Sequence, residues 1–178
     1  MINIDYRFKD QYREQYNDAN GVFVNKNKIE KGKKYNTFYQ NYFRTFLLYL
    51  ILCIIVLFTG LIIKNNLIFI MGLLLTLGYV ILASFVMYTF NKNMDNYRDR
   101  AGKITIDDSS ITDKNDVEDN NTYSISDINS IVITKLNIII LFKKIPKFLF
   151  IPNIKKDKEV IVNKFKDNKN IKIYDLNK

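Results

Sequence analysis

Between Thr45 and Phe90 the chain carries one charged residue, Lys64. Residues 45–63 and 67–90 form uncharged runs of nineteen and twenty-four residues, parted only by Lys64, Asn65 and Asn66. At about 1.5 Å of rise per residue, either run can cross a hydrocarbon core of about 30 Å. A helix satisfies its backbone N–H and C=O groups within the segment, as a bilayer demands. The pattern therefore predicts a transmembrane hairpin over residues 35–91, with helices at about 35–63 and 67–91. The runs are too long, and start too far from Met1, for a cleaved signal peptide, so no processing is expected.

The hairpin divides what remains. Residues 1–34 are too few for a core of their own, whereas residues 102–178 suffice for one small domain. Lys26, Lys28, Lys31, Lys33, Lys34 and Arg44 precede the hairpin, and Lys92, Arg98, Arg100 and Lys103 follow it. The connecting turn holds only Lys64. Basic flanks stay on the cytoplasmic side, so a multi-pass protein of the plasma membrane with both termini cytoplasmic is expected. The lone Cys53 lies inside the first run and can form no intrachain disulfide.

The net charge is +9, but 22 Lys, 22 Asn and 27 Ile beside five Arg point to an AT-rich coding bias that raises lysine without functional demand. Basic chains also bind anionic membranes or nucleic acid. Arginine is too scarce for the aromatic and arginine surface that binds single strands, so no nucleic acid is expected.

Tyr35, Phe38, Tyr39, Tyr42, Phe43 and Phe46 recur at spacings of three and four, which puts them on one helical face. That stripe suits the headgroup level, where Tyr is favoured, and equally suits packing against the cytoplasmic domain. Gly60, Gly72 and Gly78 allow close helix approach but form no G-x-x-x-G pair.

Beyond Gly102, read here as the joint between membrane stem and domain, the pattern turns to short strands. Ile104-Thr105-Ile106 precedes an Asp107-Asp108-Ser109-Ser110 turn, and Ile111 opens a weak strand. Residues 113–121 are acidic and Asn-rich, a loop. Tyr123 and Ile125 resume, Ser126-Asp127-Ile128 turns, and strands follow at 131–134, 138–142 and 148–151, the last ended by Pro152. The unbroken apolar run at 138–142 suits a central strand. Asp157 can cap a helix with Val160, Ile161, Lys164 and Phe165 on one face, and residues 171–174 suit a last strand. Ile2, Ile4, Tyr6 and Phe8 alternate with polar residues, a half-buried strand able to complete the sheet.

These phrases carry a family resemblance. Ile104-Thr105-Ile106 with its acidic turn, Ser124-Ile125-Ser126-Asp127-Ile128 leading into Ile131-Val132-Ile133, and residues 138–142 followed by Phe148-Leu149-Phe150-Ile151-Pro152 and the closing helix resemble the YcxB-like bacterial membrane proteins. The resemblance covers about residues 35–167. It implies an α+β membrane protein: a two-helix transmembrane hairpin, then a pleckstrin-homology-like antiparallel β domain closed by a C-terminal helix. It implies no particular activity.

No residue pattern points to an enzyme. Without histidine, a Ser-His-Asp triad, a Cys-His dyad and a His-based zinc site are all excluded. Neither G-x-x-x-x-G-K-[ST] nor G-x-G-x-x-G occurs. The acids Asp107, Asp108, Asp113, Asp116, Glu118 and Asp119 lack calcium-loop spacing and read as turn and loop residues. No catalytic residue, cofactor or metal is expected. The sharpest candidates are Lys143, Lys144, Lys147, Lys155, Lys156 and Lys158, flanking one strand and the start of the last helix. Near an anionic leaflet each lysine contributes about 1 kcal/mol; otherwise they form a solvated rim. The expected role is a membrane-tethered binding or scaffolding module for a protein partner or anionic lipid headgroups. The alternative is a structural, immunity-type or stress-type membrane protein that acts through its hairpin.

Overall fold

A computed structural model describes the chain apart from Asn96, residues 117–119, residues 144–146, Lys178 and the side chain of Asn93. The chain folds into two units. One joins both ends of the sequence, Met1–Thr37 with Tyr97–Lys178, and the other is Phe38–Asn96.

In the first unit, alternation sets the strand faces. Ile4 and Tyr6 of β1 (Ile2–Arg7) point inward while their neighbours face out, the period-two signature of a half-buried strand. β1 pairs antiparallel with β2 (Ala101–Ile106), Ile2 opposite Ile106 and Arg7 opposite Ala101. Two more antiparallel strands follow, β3 (Ser110–Asn115) and β4 (Asn121–Ser124), so the first sheet has the order β1-β2-β3-β4. The Asp107 to Ser110 turn closes as expected, Asp107 N–H donating to Ser110 O. Gly102 is no joint: it lies inside β2, and a Cβ there would come within 2.6 Å of the Tyr6 hydroxyl and 2.7 Å of Lys114 O.

A short 3-10 turn at Ile125–Asp127 leads into β5 (Ile128–Ile133), β6 (Asn137–Phe142) and β7 (Phe148–Pro152). The second sheet runs β7-β6-β5-β8, with β8 (Lys172–Asp175) parallel to β5 and the other pairs antiparallel. Every residue of β6 is buried, which accounts for its unbroken apolar run. Between β7 and β8, α5 (Lys155–Phe165) buries Ile161 and Phe165. Its N-cap position is Ile154 rather than Asp157, which lies in the first turn.

The N-terminal segment contributes to this core. α1 (Tyr12–Val24) packs on β6 and β7, burying Tyr12, Gln15, Asp18, Ala19, Gly21 and Val22, and α2 (Lys26–Glu30) follows. Phe8, Tyr12 and Phe150 form an aromatic cluster with centroids 4.9 to 5.6 Å apart. Burying an aliphatic or aromatic side chain this fully stabilises by about 1.5–3 kcal/mol. A segment too short for a core of its own thus completes a shared one.

The second unit is a helical pair, α3 (Phe38–Ile62) and α4 (Asn66–Asp95), both long and apolar enough to span a membrane. α3 begins at Phe38, not residue 35; Tyr35 bonds to Asp18 of α1, and Asn36 to Asn25 just past its end. In the turn Lys64 takes a left-handed backbone (φ 53°), and the Asn65 side chain accepts from Ile68 N–H at 3.1 Å. Gly72 allows close helix approach, since a Cβ there would lie 2.6 Å from Leu57 Cα. Gly60 is likewise pressed against Phe69, whereas Gly78 faces open space. Most of the aromatic stripe packs across the hairpin. Phe38 stacks on Phe90, Phe46 stacks on Tyr79, and the Tyr42 hydroxyl donates to Ala83 O at 2.7 Å.

Candidate functional site

The lysines singled out in the sequence fall into two groups. Lys143 follows β6 and donates from its ammonium to Ser126 O at 3.0 Å. Lys147 precedes β7 at the same end of the second sheet. Lys155 and Lys156 open α5 at the opposite end, and Lys158 pairs with Asp175 at 2.7 Å. The five residues of β7 put about 17 Å between Lys147 and the α5 lysines. Lys144 lies outside the described residues.

Lys147 instead joins a cleft of about 260 Å³. Tyr12, Tyr16, Tyr123 and Phe148 form aromatic walls, and Arg100 and Asp113 contribute a buried ion pair. The Asp113 carboxylate, 2% exposed, accepts from the Tyr6 hydroxyl at 2.8 Å, Arg100 Nη2 at 3.2 Å and Asn115 Nδ2 at 3.1 Å. A carboxylate removed from water must be paired and hydrogen-bonded, and three donors do this. Burial, then the neighbouring Asp113 carboxylate, push the Tyr6 phenol well above its ordinary range. Asp113 is therefore not a loop residue but a strand residue with a structural partner set. Being two residues after Ile111, it shares that residue's inward face.

A second buried carboxylate, Asp18 of α1, joins three segments. It accepts from the Tyr35 hydroxyl at 2.5 Å, Thr134 Oγ1 at 2.5 Å and Asn137 Nδ2 at 2.8 Å. Burial and the adjacent Asp18 raise the Tyr35 phenol. Thr37, the last residue of this unit before α3, runs so close over Gly21 that a Cβ there would meet Thr37 Cα at 2.8 Å. Asn25 Nδ2 donates to Asn36 O at 3.1 Å. The segment leading to α3 is thereby fastened along α1. Gln15 and Asp18 fall in phase with Tyr12, Ala19 and Val22, which is the helical spacing by which the sequence could have marked them.

Of the other acids, Asp108 sits in the β2–β3 turn and accepts from Lys164 at 2.7 Å, which lowers its pKa. Asp116 Oδ1 accepts from Ala101 N–H at 3.1 Å. Glu118 and Asp119 lie outside the described residues. Among the described residues no group of three potential metal ligands converges. The chain matches no family model, no curated protein and no solved structure.

Proposed function

We propose that this chain is an integral protein of the plasma membrane, in which α3 and α4 cross the bilayer and hold a binding module on the cytoplasmic side. The apolar length of both helices and their basic flanks support this reading. The module is read as pleckstrin-homology-like, of the YcxB-like kind: a four-strand meander, a three-strand meander and a closing helix support it.

The observation that carries a binding role is the cleft. It combines aromatic walls from Tyr12, Tyr16, Tyr123 and Phe148 with the positive charge of Lys147. Pockets that place a few polar groups among apolar ones are the usual form of a recognition site. Its chemistry fits a protein partner offering an apolar side chain beside a carboxylate.

The test is a photo-crosslinking amino acid placed at Tyr16 in the full chain in native membranes. A discrete adduct is expected, lost on Lys147→Glu and not formed from exposed Asn163 of α5. No adduct from Tyr16, Tyr123 or Phe148, with adducts from Leu48 or Leu82 instead, would move the contact to the hairpin and support the structural reading.

A further inference from the structure

Three segments meet at the end of the second sheet away from Lys143 and Lys147. Thr134 O, in the β5–β6 turn, accepts from Asn153 Nδ2 at 2.6 Å and Asn177 Nδ2 at 2.9 Å. Leu136 O accepts from Asn153 N–H at 2.9 Å, and Ile133 O from Leu176 N–H at 2.8 Å. The turn, the start of α5 and the end of β8 are thereby tied into one tip.

Among the described residues of this unit, Met1, Val24, Ile154 and Leu176 are the large apolar side chains left exposed, and the last two share this tip. Ile154 is 49% exposed and Leu176 40% exposed, although both sit in bonded segments. Lys135, Lys155 and Lys156 are exposed around them. Lys158 is neutralised by Asp175. Asp157 is half-buried, its pKa raised chiefly by burial, partly offset by Lys156, with Asp5 of β1 adding to the rise. Glu159 lies a turn further along α5.

We infer that this tip is a lipid-contact surface, in which Ile154 and Leu176 enter the interface of an anionic leaflet while Lys135, Lys155 and Lys156 pair with its headgroups. Apolar residues ringed by lysines match the amphipathic composition that seats protein surfaces at such an interface, where each lysine adds about 1 kcal/mol. Charge complementarity favours an anionic bilayer as occupant: Lys135, Lys155 and Lys156 are all exposed, and Lys155 and Lys156 directly follow Ile154. The inference rests on α3 spanning the bilayer but is independent of the cleft.

The test uses the full chain with Cys53→Ala, carrying an environment-sensitive fluorophore on Ile154→Cys, Asn163→Cys or Leu48→Cys. It is reconstituted in nanodiscs of phosphatidylcholine alone or with an equal part of phosphatidylglycerol, each prepared with and without brominated acyl chains. In anionic discs the label at position 154 should be quenched roughly twofold by the brominated lipid. Quenching should fall in high salt, where screening shortens from about 10 Å to about 3 Å. It should also fall on Lys135→Gln, Lys155→Gln and Lys156→Gln combined, while the label at position 163 stays unquenched throughout. No quenching at 154 in either disc, with the label at 48 quenched in both, overturns the tip and leaves the membrane reading standing. No quenching at 48 overturns both.

Discussion

The hydroxyl of Tyr6 donates to the carboxylate of Asp113 at 2.8 Å, across 107 residues of sequence. Through this bond the first strand reaches past β2 to the third. Arg100 closes the set from the segment that follows α4. Three pieces of chain, two of them separated by the entire hairpin, share one buried charge.

Replacing Tyr6 with Phe removes one of three donors to Asp113, and should destabilise the unit by about 1–3 kcal/mol. The pH dependence has a definite sign. The folded-state phenol pKa is raised, so its contribution is full below the unfolded value of about 10 and is lost as pH climbs beyond it. Thermal unfolding in detergent should show a melting temperature that falls above about pH 10, less steeply in Tyr6→Phe.

How much of this was written in the sequence varies by element. The hairpin was legible because a run without charge is a local property. So were β2, β6 and β7, whose apolar patterns and bounding turns are local too. α1 was not, because the face it buries includes Gln15, Asp18 and Gly21, and no apolar count finds a face whose inner residues are polar or small. Asp113 stood beside acids such as Asp108 and Asp116, which are exposed, and only its phase with Ile111 set it apart. Its partners Tyr6 and Arg100 come from other strands and turns. The six lysines were close in sequence, but β7 runs between them, and a strand carries its two ends far apart.

Asp18→Ala should be the more damaging change at the second buried carboxylate. It leaves the Tyr35 hydroxyl without its acceptor, at about 1–3 kcal/mol for a buried donor left unmade, and reduces Thr134 Oγ1 to the 3.4 Å bond to Asn137 O and Asn137 Nδ2 to the bond to Gln15 O. Tyr35→Phe removes a single donor and should cost less. Hydrogen exchange would show the difference: Asp18→Ala should lose protection over α1 and the β5–β6 turn, whereas Tyr35→Phe should alter only the segment before α3.

Gly72→Leu drives a side chain into Leu57 of the facing helix, and α3 and α4 should separate or shift register. Gly78→Leu meets nothing within 4 Å and serves as the control. Disulfide trapping between cysteines introduced at Phe46 and Tyr79, whose rings stack across the hairpin, in a Cys53→Ala background, should be perturbed far more by Gly72→Leu than by Gly78→Leu.

A fragment of residues 102–178 alone should not fold. It lacks β1, which pairs β2 along its length, and α1, which covers β6 and β7. Its amide spectrum should be poorly dispersed. Supplying residues 1–37 ahead of residues 97–178 through a flexible linker should restore dispersion. If the short fragment folded by itself, β1 and α1 would be accessories rather than parts of the core.

The placement of α3 and α4 within the β1–β2 connection bears on how the protein is made. β1 leaves the ribosome before α3 and α4, yet Ile106, the partner of Ile2, is synthesised only after both long helices. On the proposed membrane reading, the early strand must wait, unpaired, through the whole of membrane insertion. Two hydrogen-bonded strands must also lie on one side of a bilayer, so on the proposed membrane reading the chain between them has to cross an even number of times. A molecule that inserted one helix and stranded the other could not zip β1 to β2. Sheet formation then acts as a proofreading step, in which only correctly threaded chains acquire a folded domain and the others stay open to proteolysis.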